Sequence, residues 1–448
     1  MTKFRIISVV LIFLLAIASM FGCSANNTKK ENKDNGVMSE VKVTAQKLIN
    51  PRDAGPSESV EKVADASNEF AFNFSRVLAA ERPDKNANFV VSPFSVWLPL
   101  AALVNATDDA FKPGLLKALA GAGVSPDDIN KAASRMLFSL NKTDVEEYLG
   151  NDFHNPLKIA NAIFVGNNVT LKKEFTQTFM DYYRGSAINV DFSSQDAVDA
   201  VNKWASDNTE GLITNLINEF DPETIATIAN AIYYSDRWDW EFDKDETTEG
   251  IFKSPVGDNK AHFMLREGDA QEYYEDEKVQ AMPLSFASQG GLCIILPKHD
   301  DANELFSALT NEYFNEIMND SVEATGKLLL PRFRIDGGIV DLKTSLISMG
   351  VPLFDKNDAP LTGGLVEEDL YVWLESAIQK AMIEVNEEGT TAAAVTSLAI
   401  AGSAMPLPTA PFEMICDKPF IFVLYDHTYD GGNQILFTGI VNQIEELS

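Results

Sequence analysis

The chain has 448 residues, 66 of them acidic and 36 basic, for a formal charge of −30 at neutral pH. That balance excludes phosphate backbones as partners, since nucleic-acid affinity comes from Lys and Arg, and the acidity reads as a solubility device. With 45% hydrophobic and 10% aromatic content there is enough apolar material for a sizeable core. Lys3 and Arg5 precede an uncharged apolar stretch from Ile6 to Ala18, followed by Ser-Met-Phe-Gly-Cys23. A basic start and an apolar run too short to span a bilayer read as an export signal over residues 1–22. Cys23, behind the small Gly22, stands where bacterial lipoprotein signals place the acylated cysteine, although Met20 departs from the usual leucine. The expected location is therefore a lipid anchor at the cell surface or envelope, with plain secretion as the alternative. Residues 23–58, rich in Asn, Lys, Ser and Pro without an apolar period, read as a solvated tether.

From Val60 the pattern turns helical, with Val63, Ala66, Phe70, Phe74 and Val77/Leu78 three to four residues apart. A second helix is predicted over Pro93–Val104, started by Ser92-Pro93. A strand over Ala160–Val165 follows, then helices over Phe175–Tyr183 and Val198–Asn208, and a strand over Ile225–Tyr234. Later strands are expected at Leu292–Leu296, Lys327–Ile335, Ala377–Val385, Phe420–Tyr425 and Ile435–Val441. Nothing interrupts residues 59–448, so they read as one α+β domain, helices mostly early and strands mostly late. Cys293 and Cys416 lie in apolar, strand-like runs and read as buried free thiols; their spacing shows no disulfide.

Catalytic patterns are missing. The four histidines are isolated, and no nucleophile elbow, zinc-binding helix or dinucleotide loop is present. Gly338-Ile-Val-Asp-Leu-Lys343-Thr344 lacks the second glycine of a phosphate loop, and its Leu342 and Leu346 mark an ordinary helix face. The acidic string Tyr274–Glu277 reads as a solvated loop and not as a calcium site. No enzyme, metal or cofactor is expected. One segment stands apart: from Gly389 to Phe412 no residue carries a charge. An exposed uncharged β-capable segment is an aggregation hazard that sequences normally break with charges. Keeping one makes sense if the segment is at some stage buried as a strand.

Several motifs occur in one order: Asn88-Phe-Val-Val-Ser92-Pro-Phe-Ser95, Ala160-Asn-Ala-Ile-Phe164, Val190-Asp-Phe192, Asn202-Lys-Trp204, and Ile228-Ala-Asn230-Ala-Ile-Tyr-Tyr234 with Trp238 and Phe242. Then come Leu330-Pro331-Arg332-Phe333, Gly350 with Phe354, Ile383-Glu-Val-Asn-Glu387-Glu-Gly389-Thr390, and Asp417-Lys-Pro419-Phe420. In this order they resemble the serpins, single-domain inhibitors of serine proteases, over essentially all of residues 60–448. The resemblance implies the serpin fold: a large, mainly antiparallel central sheet, further sheets, about eight to nine helices and an exposed reactive loop, here 387–412. It also implies a mechanism. The loop offers a scissile bond, the protease forms an acyl-enzyme, and the cleaved loop then inserts as a new strand that distorts the captured protease.

The hinge implied by the resemblance is Glu387, Gly389, Thr390, Ala392, Ala393, Ala394 and Val395. The residues themselves agree. Thr390, Ala392, Ala394, Thr396, Leu398 and Ile400 share one strand face, and the first three are small. A buried unpaired charge would stall insertion. Counting along the family's spacing from Gly389 places the scissile bond after Ser403, with Ala401, Gly402, Ala404 and Met405 as neighbouring candidates. Small uncharged residues there suit shallow-pocketed serine proteases of elastase or subtilisin type, with cysteine proteases a further class. Glu387 is expected to pair with Arg332 above Trp238. Ser95, Asn230 and Gln379 match a polar cluster beneath the sheet, with Gln379 standing where the family carries histidine. A monomer is expected. The alternative is a non-inhibitory member of the same fold, a binding protein or chaperone.

Overall fold

The computed structural model describes residues 6–17, 49–50, 57–142, 157–211, 213–221, 223–299, 301–390, 411–428 and 432–445. In chain order its strands are β1 Ile6–Ile17, β2 Phe89–Val91, β3 Leu157–Gly166, β4 Gly185–Val190, β5 Thr224–Tyr234, β6 Thr248–Phe252, β7 Asn259–Glu275 and β8 Val279–Ser285. They continue as β9 Gly291–Pro297, β10 Val322–Pro331, β11 Phe333–Asp341, β12 Tyr371–Val385, β13 Phe412–Ile415, β14 Phe420–His427 and β15 Asn433–Val441. The α-helices among the described residues are α1 Glu58–Glu81, α2 Pro93–Leu103, α3 Lys112–Ala120, α4 Pro126–Leu140, α5 Lys173–Tyr183, α6 Gln195–Asn208, α7 Ala302–Ala308, α8 Asn311–Asp320 and α9 Lys343–Ser348.

The early helices follow from the apolar period. The α1 stripe Val60, Val63, Phe70, Phe74 and Leu78 is buried. In α2 all residues are buried, and Ser92 caps its start by accepting from the Ser95 amide. The strands form two sheets. One runs β11-β12-β1-β5-β3-β4; the other, larger, runs β13-β10-β7-β8-β9-β14-β15-β2, with β6 alongside β7. The larger sheet is antiparallel except for β10 with β13. In the six-stranded sheet β11 pairs antiparallel with β12 and β3 antiparallel with β5. This is the expected α+β fold class, with the core between the helices and the two sheets.

Two features differ from the reading of the sequence. The expected single strand Lys327–Ile335 is two: β10 ends at Pro331, β11 starts at Phe333, and they belong to different sheets. Pro331 has no N–H to extend a ladder, and the Arg332 amide instead donates to the His262 carbonyl at 2.9 Å. Arg332 thus sits at a corner between sheets. The second difference is β1. Ile6–Ile17, read as the apolar part of an export signal, is extended and parallel to both neighbours, lying between β5 and β12. It is rich in Ile and Val and carries no charge, which suits it to a two-sided sheet position. The gap between β5 and β12 is therefore one strand wide.

Candidate functional site

The site is built where β12 ends and the uncharged segment begins. After Val385 the chain makes a tight turn, the Asn386 amide donating to the Gly389 carbonyl at 3.0 Å and the Gly389 amide to the Asn386 carbonyl at 3.2 Å. Gly389 has φ of +132°, and a Cβ on it would lie 2.3 Å from the Asp236 carbonyl. Only glycine satisfies both demands. The turn carries the chain back across the mouth of the gap towards the end of β5, where Gly389 bridges antiparallel to Arg237. Thr390 then docks on Asp236. Its amide donates to the Asp236 carbonyl at 2.9 Å, and its hydroxyl accepts from the Asp236 amide at 2.9 Å and donates to the same carbonyl at 3.1 Å. Thr390 is buried.

Trp238 and Arg332 frame this mouth. The Trp238 indole stacks on Phe286 at 4.6 Å, meets Phe242 edge-on at 6.0 Å, and donates its N–H to the Asn386 carbonyl at 2.9 Å. The backbone amides of Trp238 and Phe242 donate to the Glu388 and Glu387 carbonyls, each at 3.0 Å. Glu387, almost fully buried, accepts from Arg332 Nε at 2.6 Å, from Arg332 Nη2 at 2.5 Å and from the Thr247 hydroxyl at 2.6 Å. Burial pushes its carboxyl up, but the Arg332 and Thr247 hydrogen bonds outweigh that and hold it below the usual carboxylate range. Lys244 pairs with Glu388 on the outer side.

Beneath the middle of the sheet the expected polar cluster is split. Gln379, on β12, donates through Nε2 to the Ser95 hydroxyl and the Ser92 carbonyl, both at 2.8 Å, and accepts from the Ser92 amide at 3.1 Å. Asn230, on β5, does not join it. Its Nδ2 donates to Asn161 Oδ1 at 2.8 Å, and its Oδ1 is buried without a hydrogen bond. The reason is spacing. Gln379 and Asn230 both register with Phe13 of β1, from opposite sides, and adjacent strands lie about 4.8 Å apart. Two such steps put the amides out of reach of one another. The amide that replaces histidine here fills both donor and acceptor roles without a titrating proton. Gln379→Leu is expected to leave the Ser92 amide unsatisfied, the Ser95 hydroxyl keeping its bond to the Ser92 carbonyl at 3.1 Å, and to lower unfolding stability by about 1–3 kcal/mol, read from urea melting midpoints at unchanged slope.

Of the other residues singled out, Ala392, Ala393, Ala394, Val395, Ala401, Gly402, Ser403, Ala404 and Met405 lie outside the described residues, as does Cys23. The segment's two ends are described: Thr390 at the gap's mouth, and Phe412, where β13 pairs with β10. Cys293 and Cys416 are buried free thiols, their pKa values driven up by burial. Among the described residues no group of His, Cys, Asp and Glu is arranged to hold a metal ion. The Tyr274–Glu277 string closes a strand turn, where the Lys278 and Val279 amides each donate to Asp276 at 2.7 Å. Gly338-to-Thr344 leads into α9, with Leu342 and Leu346 buried. Sequence reasoning missed Asp236, Asn386 and Thr247. The signal for Asp236 was available: Ser-Asp-Arg follows an eleven-residue strand that is buried throughout, an abrupt polar stop before Trp238.

Comparison with known proteins agrees with this geometry. Residues 65–444 match the family model described as serpin (serine protease inhibitor). The chain is 28% identical over 454 residues, covering 99% of both proteins, to a protein of Methanosarcina acetivorans described as an uncharacterized serpin-like protein. It is 32% identical over 362 residues to antitrypsin of Bombyx mori, covering 79% of this chain and 87% of that one. Among solved structures it resembles the thermophilic serpin tengpin in the native state, at 25% identity and a TM-score of 0.74, with 90% of this chain and 98% of that chain covered.

Proposed function

The chain belongs to the serpins, the serine protease inhibitor family and not a family of enzymes, and from the hinge geometry we propose that it traps proteases by a suicide mechanism. A protease cleaves the loop between Ala401 and Met405, and the acyl-linked loop enters the gap between β5 and β12 as an antiparallel strand. One observation carries the reading. The turn at Asn386–Gly389 already points the chain into that gap, with Thr390 held at its mouth by Asp236. The gap takes a full strand, as β1 occupies it with hydrogen-bonded neighbours on both sides. Beyond Thr390 the residues on its face are small, then apolar, and none is charged, so burial carries no unpaired-charge cost.

In this reading Arg332, Glu387 and Trp238 hold the mouth closed, and Ser95 and Gln379 tie β12 to α2 below. Asn230 Oδ1, buried without a hydrogen bond, is left to accept one from across the gap once the gap narrows. The targets are serine proteases with small or apolar primary specificity, cysteine proteases being a further class. Pancreatic elastase or subtilisin incubated with the domain should give a covalent band at the summed mass on denaturing gels. Clean cleavage without that band across a broad protease panel would leave only a binding-protein role for the fold.

The N-terminal region fits export and anchoring. Lys3, Arg5, the Ile6–Ala18 run and Gly22-Cys23 support removal of residues 1–22 and acylation of Cys23, with residues 23–58 as tether to a domain over 59–448. Removal of residues 1–22 also vacates the strand position that the loop needs. Fatty-acid labelling in a bacterial host should mark the parent chain and not Cys23→Ser; label in neither would leave plain secretion.

A further inference from the structure

Behind the Thr390 dock lies a second set of charges that the trapping mechanism does not use. Asp236, whose backbone holds Thr390, turns its side chain inward. Its Oδ1 accepts from the Arg237 amide at 2.8 Å, and its Oδ2 accepts from the Ser288 hydroxyl, the Ser288 amide at 3.3 Å and the Tyr234 hydroxyl at 3.3 Å. The carboxylate orientation and the backbone dock are thus one unit. On the far side of Tyr234 is Asp426, at the end of β14 and fully buried. Its Oδ1 accepts from Lys142 Nζ at 2.7 Å, and its Oδ2 is buried with no hydrogen bond. Gly290 sits at the junction: a Cβ there would lie 2.5 Å from the Tyr234 hydroxyl and 3.5 Å from the Asp426 carboxyl carbon.

Lys142 thus pairs with Asp426, while Asp236 is held by amide and hydroxyl donors. Lys142, just past α4, adopts a left-handed backbone conformation, φ 47°, which an unbranched side chain tolerates only when its surroundings hold it there. The other groups facing Asp426 or its neighbours are His427 and Tyr425 on β14, Glu272 on β7 and Cys293 on β9. Burial lowers the pKa of His427, and Lys142 lowers it further, so it supplies no second cation near neutral pH. Burial pushes Asp426 up to about 6 despite Lys142, and Asp236 adds to the rise. Burial raises Asp236 as well. Like charges in one dry site resist double ionisation.

We propose that Asp236 is the positioning residue of the loop hinge and that its coupling to Asp426 and Lys142 makes the hold on Thr390 proton-sensitive. The inference rests on the trapping mechanism for its functional meaning but not for its structural test. With both carboxylates ionised, Asp426 repels Asp236, and the Asp236–Thr390 dock is loosened. A proton taken up by the pair removes that repulsion and tightens the dock. The sign follows from the raised carboxylates: the dock gains stability as pH falls through about 6 towards the ordinary range, and loses it as pH rises again. Loop insertion is then held back in acidic surroundings and freed near neutrality. Asp236, Ser288 and Tyr234 act through the backbone and touch no protease.

The test is hydrogen exchange at the Thr390 amide in the intact domain without protease, expressed as protection relative to the intrinsic rate at each pH. In the parent, protection at pH 5.5 is expected to exceed that at pH 7.5 by about tenfold, the equivalent of one pK unit of coupling. Asp426→Asn should show a slope well below the parent's, the remainder being the titration of Asp236, which burial raises by itself. Should it fail to fold because Lys142 is stranded, Lys142→Gln/Asp426→Asn serves instead. Protection that is flat in the parent, or a parent-like slope in the folded variant, overturns the proposal. With elastase, the trapped fraction of the parent divided by that of the variant at the same pH cancels the protease's own titration and should fall towards pH 5.5. If the exchange slope is present but no covalent complex forms at any pH, the hinge control stands and protease trapping falls. If complexes form and the slope is absent, only the hinge control falls.

Discussion

Thr390→Arg is expected to turn the inhibitor into a substrate: elastase cleaves the loop at an undiminished rate, and the covalent complex disappears. Thr390 lies in the hinge, directly after Gly389, and is already buried. The inserting strand carries it between the buried ends of β5 and β12, where the nearby carboxylates are already engaged: Asp236 by the Arg237 and Ser288 amides and the Ser288 and Tyr234 hydroxyls, Glu387 by Arg332 and the Thr247 hydroxyl. Burying an unpaired charge costs about 3–5 kcal/mol even after relaxation, and every 1.4 kcal/mol is a factor of about ten. The partition between trapping and turnover should shift by more than about a hundredfold. Two controls separate insertion from the dock on Asp236. Thr390→Val loses the hydroxyl but remains buriable, so it should still trap. Ala392→Arg keeps the dock and should fail like Thr390→Arg. Trapping by both arginine variants would show that the loop does not enter the sheet.

Arg332→Ala is expected to cost about 3–5 kcal/mol of unfolding stability, because it leaves the buried Glu387 carboxylate without its counter-charge, held by the Thr247 hydroxyl and its own backbone amide. Arg332→Ala/Glu387→Gln should recover most of the loss, since the penalty comes from the stranded charge and not from a missing contact. Equal stability of the single and double variants would contradict this assignment. The pH dependence has a definite sign. Glu387 is held below its ordinary range, so its contribution is complete above about pH 4.3 and is lost as pH falls through the lower folded value. Opening of the mouth also exposes the edges of β5 and β12, and an exposed edge pairs with any free strand. Size-exclusion chromatography of Arg332→Ala at moderate temperature should therefore show oligomers that the double variant lacks.

Much of this site was legible in the chain. Gly389 followed by a charge-free run, and the Leu-Pro-Arg-Phe and Glu-Val-Asn-Glu motifs, located the hinge and paired Arg332 with Glu387 across 55 residues of sequence. The glycine and the charge-free run were legible as local demands, whereas the Arg332–Glu387 pairing was legible only through the resemblance to the serpins. The polar cluster was only half legible. Matching motifs grouped Ser95, Asn230 and Gln379, but strand order placed β1 between Asn230 and Gln379. The strand Lys327–Ile335 was read whole because its apolar pattern continues through Arg332; only the assignment of the two halves to different sheets breaks it. Strands β6 and β7 gave little signal, since polar residues are frequent in them and pairing to neighbours holds them extended, while β8, buried almost throughout, carries Pro283 in its middle.

Taken alone, the sequence determined the family, which matches over residues 65–444, and offered the hinge and the charge-free loop as expectations, because motif order and period survive without knowledge of contacts. Tertiary structure decided what lies across a gap from what. Thr390 on Asp236, Asp236 against Asp426 through Tyr234, and Lys142 against Asp426 join residues up to 284 positions apart. No periodicity encodes such meetings. They arise when two sheets and the helices beneath them close on one buried corner, where low polarity makes each unpaired oxygen costly.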